Sequence, residues 1–130
     1  MSKVQIHLTL IGNEFDTEKV SEILGINPQY VREKNELLGN GRCFGHTEWG
    51  ISSNIETDDS LHSALSFFIQ RLENKIDLMR EIAVANDANC HLLFEVDVID
   101  KSFPVTYFDS NQIDIIHRLN ASMGFDVFML

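Results

Sequence analysis

Gly12-Asn13-Glu14-Phe15-Asp16-Thr17-Glu18-Lys19-Val20-Ser21-Glu22-Ile23-Leu24-Gly25-Ile26-Asn27-Pro28 reads as a strand end, a capped helix, a glycine stop and a proline turn. Asp16 suits the N-cap, because its carboxylate can accept from a free first-turn N–H. Phe15 and Val20 fall at the N′ and N4 positions, where a hydrophobic staple closes. Val20, Ile23 and Leu24 form an apolar stripe at helical spacing. Gly25 supplies the left-handed stop, and Pro28 blocks continuation. Upstream, Val4, Ile6, Leu8 and Leu10 alternate with Gln5, His7 and Thr9, the pattern of a strand with one buried face.

Downstream, residues 29–43 are less regular and contain the turn cluster Gly39-Asn40-Gly41. Residues 44–52 read as a strand, with Thr47, Trp49 and Ile51 on one face and Phe44, His46 and Glu48 on the other. Thr57, Asp58, Asp59 and Ser60 are expected to open a long helical region with an acidic start that complements the helix dipole. Leu61, Leu65, Phe68, Leu72, Ile76, Met79 and Ala83 carry its stripe, with a kink or break expected at Asn74. Leu92, Phe94, Val96 and Val98 alternate as another strand, and residues 104–108 read as a short one that begins at Pro104. Asp109 and Gln112 form a capping box, with Phe108 and Ile113 as a second staple. That helix is expected to run through Ile116 and Leu119 to Gly124, followed by a strand on Phe125, Val127 and Met129.

The expected order is β-α-β-α-β-β-α-β in a single α+β domain, residues 1–130. Strands with one polar face imply a mainly antiparallel sheet of about five strands, with helices packed on one face. The chain length is enough to bury a core without staples.

Charge is the strongest bulk signal. Twenty acidic residues against ten basic ones give −10, with a pI near 4.7. Residues 1–60 and 61–130 each carry ten acids and five bases, so the acidity is not confined to a tail. Such a surface repels phosphate backbones, which argues against nucleic-acid binding. It attracts basic protein partners and speeds their encounter. No stretch approaches the ~20 apolar residues of a membrane helix, and the alternating N-terminal run is unlike a signal peptide. The expectation is a cytoplasmic protein without membrane association. Cys43 and Cys90 belong to no CxxC pair and read as reduced structural thiols, though a disulfide between them stays open.

No catalytic set stands out. His46-Thr47-Glu48 is an H-x-E triplet without the downstream PCxxC of zinc deaminases. Cys43 near His46, and Cys90 beside His91, lack a third orienting residue. Gly39-Asn40-Gly41-Arg42 lacks the Lys-Ser/Thr of a phosphate loop. Trp49, between Thr47 and Ile51, reads as a core anchor. Neither an enzyme, a metal site nor a cofactor is expected.

The opening phrase, the Thr47-Glu48-Trp49 strand, the Leu-rich helix over residues 60–72, and the closing Pro104-Val105-Thr106-Tyr107-Phe108, Gln112-Ile113 and Gly124-Phe125-Asp126-Val127 segments together resemble the bacterial domain of unknown function 4279 family over essentially the whole chain. Arg42 and His46-Thr47 stand approximately where the family shows a basic residue and small polar residues before its tryptophan. Pro28-Gln29 replaces its frequent Pro-Thr. The resemblance implies a fold and carries no catalytic residues. It also implies a likeness to immunity proteins encoded beside polymorphic or contact-dependent toxins.

The leading expectation is a non-catalytic protein-binding domain, an immunity protein that neutralises a basic toxin domain. Its contacts would come from the polar sheet face, with Glu48, Glu95 and Asp97, or from the loop over residues 35–42. The alternative is a small-molecule or metal-binding domain using His7, His46 and His91. A third is a module that self-associates through an exposed strand edge.

Overall fold

The computed structural model describes residues 2–58 and 60–130. Strand β1 (Ser2–Gly12) leads into helix α1 (Thr17–Leu24), then β2 (Tyr30–Arg32), β3 (Thr47–Ser52) and β4 (Glu56–Asp58). Helices α2 (Leu61–Leu72) and α3 (Ile76–Ala85) follow, then β5 (Asn89–Val98), α4 (Ser110–Leu119) and β6 (Ser122–Met129). The sheet order is β2-β3-β1-β5-β6, with β4 also paired to β1. β3 pairs with the second half of β1 (His7 to Gly12) and β4 with its first residues (Ser2 to Val4). Between them Ser53 bridges the gap, donating its N–H to Ile6 O and accepting the Ile6 N–H on Oγ, both at 2.8 Å. The β1–β3, β1–β4, β1–β5 and β2–β3 pairings are antiparallel, and β5–β6 is parallel. The sheet is therefore mixed, although mainly antiparallel. The parallel pair arises because α4 carries the chain back before β6 begins.

The front of the chain folds as its sequence dictates. Asp16 accepts from Lys19 N at 3.1 Å, Phe15 and Val20 are buried, and Gly25 takes φ 67°. Helices line one side of the sheet: α1 on β3, α2 on β1, and α3 on β5, with α4 against α3. Every apolar residue expected on the α2–α3 stripe is buried. The stripe breaks at residues 73–75, a 3-10 turn that contains Asn74. Trp49 is fully buried and donates its indole N–H to Ser21 Oγ on α1 at 2.9 Å. Against the intact peptide ladders on either side, that bond satisfies the one polar atom of the largest core side chain.

Five local expectations need correction. Thr57 and Asp58 lie in β4 and do not open α2; Asp59 lies outside the described residues. α2 starts at Leu61 without an acid in its first turn. Residues 104–108 are not a strand: Val105 makes an isolated parallel bridge to Ser60, and Pro104 is buried. Ile113 is 56% exposed, so it closes no staple, and Phe108 packs on Phe94 instead, with ring centroids 5.4 Å apart. Finally α4 ends at Asn120, left-handed at φ 51°, while Gly124 sits inside β6.

Candidate protein-binding face

The helices leave the other side of the sheet open, and the register places its residues in rows. Across β3, β1 and β5, Glu48 stands beside Ile11 and Asn89 in one row. Gly50, Thr9 and His91 form the next, and Ser52, His7 and Leu93 the one after. Gln5 and Glu95 then meet Asp126 of β6, and Lys3 and Asp97 meet Phe128. From His91 onward the side chains of β5 on this face are half-buried by their neighbours, whereas those on the opposite face are fully buried. This alternation is the mark of a sheet with one solvated face.

The three expected contact residues all lie on this face but not together. Glu95 and Asp97 belong to adjacent rows on β5. Glu48 is six residues further along β1, ~20 Å away at the usual rise of a strand. Asp126, directly beside Glu95, completes an acidic end with Glu95 and Asp97. Its place could not be read from the sequence, because it depends on β6 pairing in parallel with β5. Lys3 lies opposite Asp97 and is the basic residue nearest in register.

His7 occupies the middle of the face. Its Nδ1 is 2.6 Å from Ser52 Oγ, and its Nε2 is 3.2 Å from Glu95 Oε2. His91 Nδ1 is 2.7 Å from Ser122 Oγ. His46 lies before β3, with Nε2 3.4 Å from Glu48 Oε1 and its ring 4.8 Å from that of Phe44. The three histidines thus share no partner. Among the described residues, no group of three His, Cys, Asp or Glu side chains is arranged to hold a metal ion.

At the β2 edge Tyr30 lies across Gly50 and hydrogen-bonds Thr9 through its hydroxyl. A Cβ at Gly50 would occupy the space of the tyrosine ring, so any larger residue must displace that ring. Burial, and then the nearby Glu48 carboxylate, push the Tyr30 hydroxyl up to about 12. The loop after β2 turns on itself through a Leu37–Cys43 bridge, with Gly41 at φ 81°. Cys43 is exposed and Cys90 buried, both as free thiols. Burial pushes the Cys90 thiol up to about 11, with Arg80 opposing, which keeps it protonated and inert.

A second feature lies on the helical side. A cleft of about 580 Å³ between α2 and α4 is lined by His62, Ser66, Gln70, Asp109, Gln112 and Arg118, among others. The capping box expected at Asp109 and Gln112 is present. Gln112 is buried; its side-chain amide also donates to His62 O and Ser66 Oγ, both at 2.9 Å, tying α4 to α2. His62 Nε2 is 2.7 Å from Asp109 Oδ2, and its ring stacks on Tyr107 at 4.6 Å. The Gln112 backbone N–H, followed by His62, holds the Asp109 carboxyl below its usual range. His62 carried no sequence signal, because it lies 47 residues from Asp109 and outside any motif. The cluster fastens the start of α4, with the Ser66 hydroxyl turned to Gln112.

No helix among the described residues is long and apolar enough to cross a membrane. The chain belongs to the family described as a domain of unknown function (DUF4279), whose model matches residues 2–130. No curated protein and no solved structure matches it.

Proposed function

We propose that this chain is a non-catalytic protein-binding domain that docks a basic partner on its open sheet face. The observation that carries this reading is the uncovered face itself, with Glu95, Asp97 and Asp126 gathered at one end. A helix-backed sheet is a rigid platform, and little ordering entropy is lost when a partner lands on it. The net charge of −10 steers a basic surface toward that platform. At the finer level, the partner is a cognate toxin domain that this chain neutralises as an immunity protein. The resemblance stated above and the acidic surface support that identity; an acidic face laid over a basic active site would block it without chemistry.

The test is affinity capture from host lysate with the tagged chain, beside a Glu95→Lys/Asp97→Lys/Asp126→Lys variant. One stoichiometric basic partner, held by the wild type and lost by the folded variant, is the expected result. A toxin domain in that partner would establish the immunity role. Equal capture by both chains would remove the acidic end of the face from the interface.

A second reading, a small-molecule-binding domain, is favoured by the α2–α4 cleft, whose volume falls in the range of ligand sites. Ligand-observed NMR with a fragment set, competed by a Ser66→Trp variant that fills the cleft, would test it. Binding that survives the substitution would place the ligand elsewhere.

A further inference from the structure

β6 is an outer strand of the sheet, paired with β5 in unbroken register from Ser122 to Met129. Leu130 N–H donates to Val98 O at 2.9 Å. Backbone groups alternate in direction along a strand. Even-numbered residues of β6 therefore address β5, while Met123, Phe125, Val127 and Met129 turn their N–H and C=O groups outward. The side chains of these same four residues share the helix-side face, in register with Leu92, Phe94, Val96 and Val98. The helical layer stops short of them, and they are 37%, 47%, 50% and 57% exposed. Phe128, on the other face, is 47% exposed. Long edge strands are ordinarily blunted by lysine, proline or a bulge. β6 has none of these, and Asp126 is its one charged residue.

These side chains and Leu130 expose roughly 500–600 Å² of apolar surface, the upper end of what an ordinary monomer shows. Doubled, with the backbone edge included, full coverage of this surface gives a ceiling of ~1,200 Å², at the lower bound of a specific interface.

We propose that β6 pairs antiparallel with β6 of a second copy of this chain, about a two-fold axis through Phe125. The charge on the strand selects the register. Centring the axis on Asp126 would set two carboxylates directly opposite each other, which is repulsive. Centring it on Val127 would set Asp126 against Phe128 of the other copy. Centring it on Phe125 sets Asp126 against Gly124, where there is room, and joins Met123 to Val127 and Phe125 to its own copy. The axis is normal to the sheet, so both open faces stay on the same side and form one surface with an acidic cluster from each copy. Asp126 residues then lie diagonally across the axis, and added salt relieves their repulsion. Self-association should tighten slightly with salt, opposite in sign to the docking of a basic partner.

Sedimentation of the full chain from ~1 to ~200 µM tests the proposal. The expected mass at the upper end is twice 14.8 kDa. Val127→Lys should weaken association at least ~30-fold with its circular dichroism unchanged. The hydrogen-bonded opposition at Phe125 would bring two Cα atoms to ~5.5 Å, within disulfide reach. Phe125→Cys in a Cys43→Ser background should therefore oxidise to a covalent dimer. Met123→Cys with Val127→Cys reports the same register without touching the Phe94–Phe125 stack. A single-chain mass throughout the range would overturn the proposal. So would a folded Val127→Lys protein that dimerises like the wild type, or failure of both cysteine variants to cross-link.

Discussion

The two edges of this sheet are built to opposite specifications. β2 is three residues long, follows Pro28, and ends in Arg32, which sits 5.9 Å from the Phe44 ring and pairs with Glu36. Tyr30 folds inward from it across Gly50 to Thr9, so the strand is spent on covering its own sheet. β6 is eight residues long, regular and apolar, with its inner face only partly sheltered. The first edge is closed by side chains that the chain itself provides. The second is long, apolar and without the lysine, proline or bulge that ordinarily blunts an edge, the features that continued pairing requires.

The difference should appear first in stability. Trp49→Ala, beside β2, removes a fully buried ring and leaves the Ser21 hydroxyl with only its bond to Thr17 O; a loss of ~3–5 kcal/mol is expected in urea denaturation. Phe125→Ala, on β6, should cost only ~1 kcal/mol at low micromolar concentration, because about half of that side chain already meets water. Similar losses from the two substitutions would break the comparison, since β6 would then be packed as tightly as the closed edge.

Gly50→Ala comes next. The added methyl group must displace the Tyr30 ring, and overpacking of this kind costs ~1–3 kcal/mol. Its nuclear magnetic resonance signature should be a loss of Tyr30–Thr9 proximity while the β5–β6 amides stay unchanged. Shifts spread evenly over both edges would show that the two are mechanically coupled.

Much of this contrast was legible in the sequence at one end and hidden at the other. β1, α1 and β3 could be read because period, cap and stop agree over Val4 to Gly25 and again at Thr47, Trp49 and Ile51. β2 was missed because three residues carry no periodicity. The strand expected over residues 104–108 found no continuous partner and spans the gap to α2 through a single bridge. At the open face, Glu48, Glu95 and Asp97 were placed on the correct side by alternation alone. Their separation, and the addition of Asp126, required the pairing order of β3, β1, β5 and β6, which is a tertiary fact. The start of α4 divides in the same way: the Asp109–Gln112 cap is local and was visible, whereas its links to His62 and Ser66 cross between helices.

The smallest expected effect is a titration at the closed edge. Tyr30 has a hydroxyl pushed up to about 12 from its ordinary value of 10.0, mainly because burial disfavours the phenolate. The folded state therefore holds this proton more tightly than the unfolded chain. Its contribution is fully present below pH ~10, and it is lost as pH rises through the folded value. Because the group is only about half buried, solvent screening limits the effect to the order of 1 kcal/mol or less. Cys90, pushed up to about 11, contributes a slope of the same sign, so the wild-type curve alone does not isolate the tyrosine. Tyr30→Phe keeps the ring over Gly50 and removes the ionising group. Stability should fall less steeply from pH 10 to 12 in Tyr30→Phe than in the wild type, with the two curves parallel below pH 9. Identical slopes would mean that the hydroxyl is solvated and that the edge is closed by the ring alone.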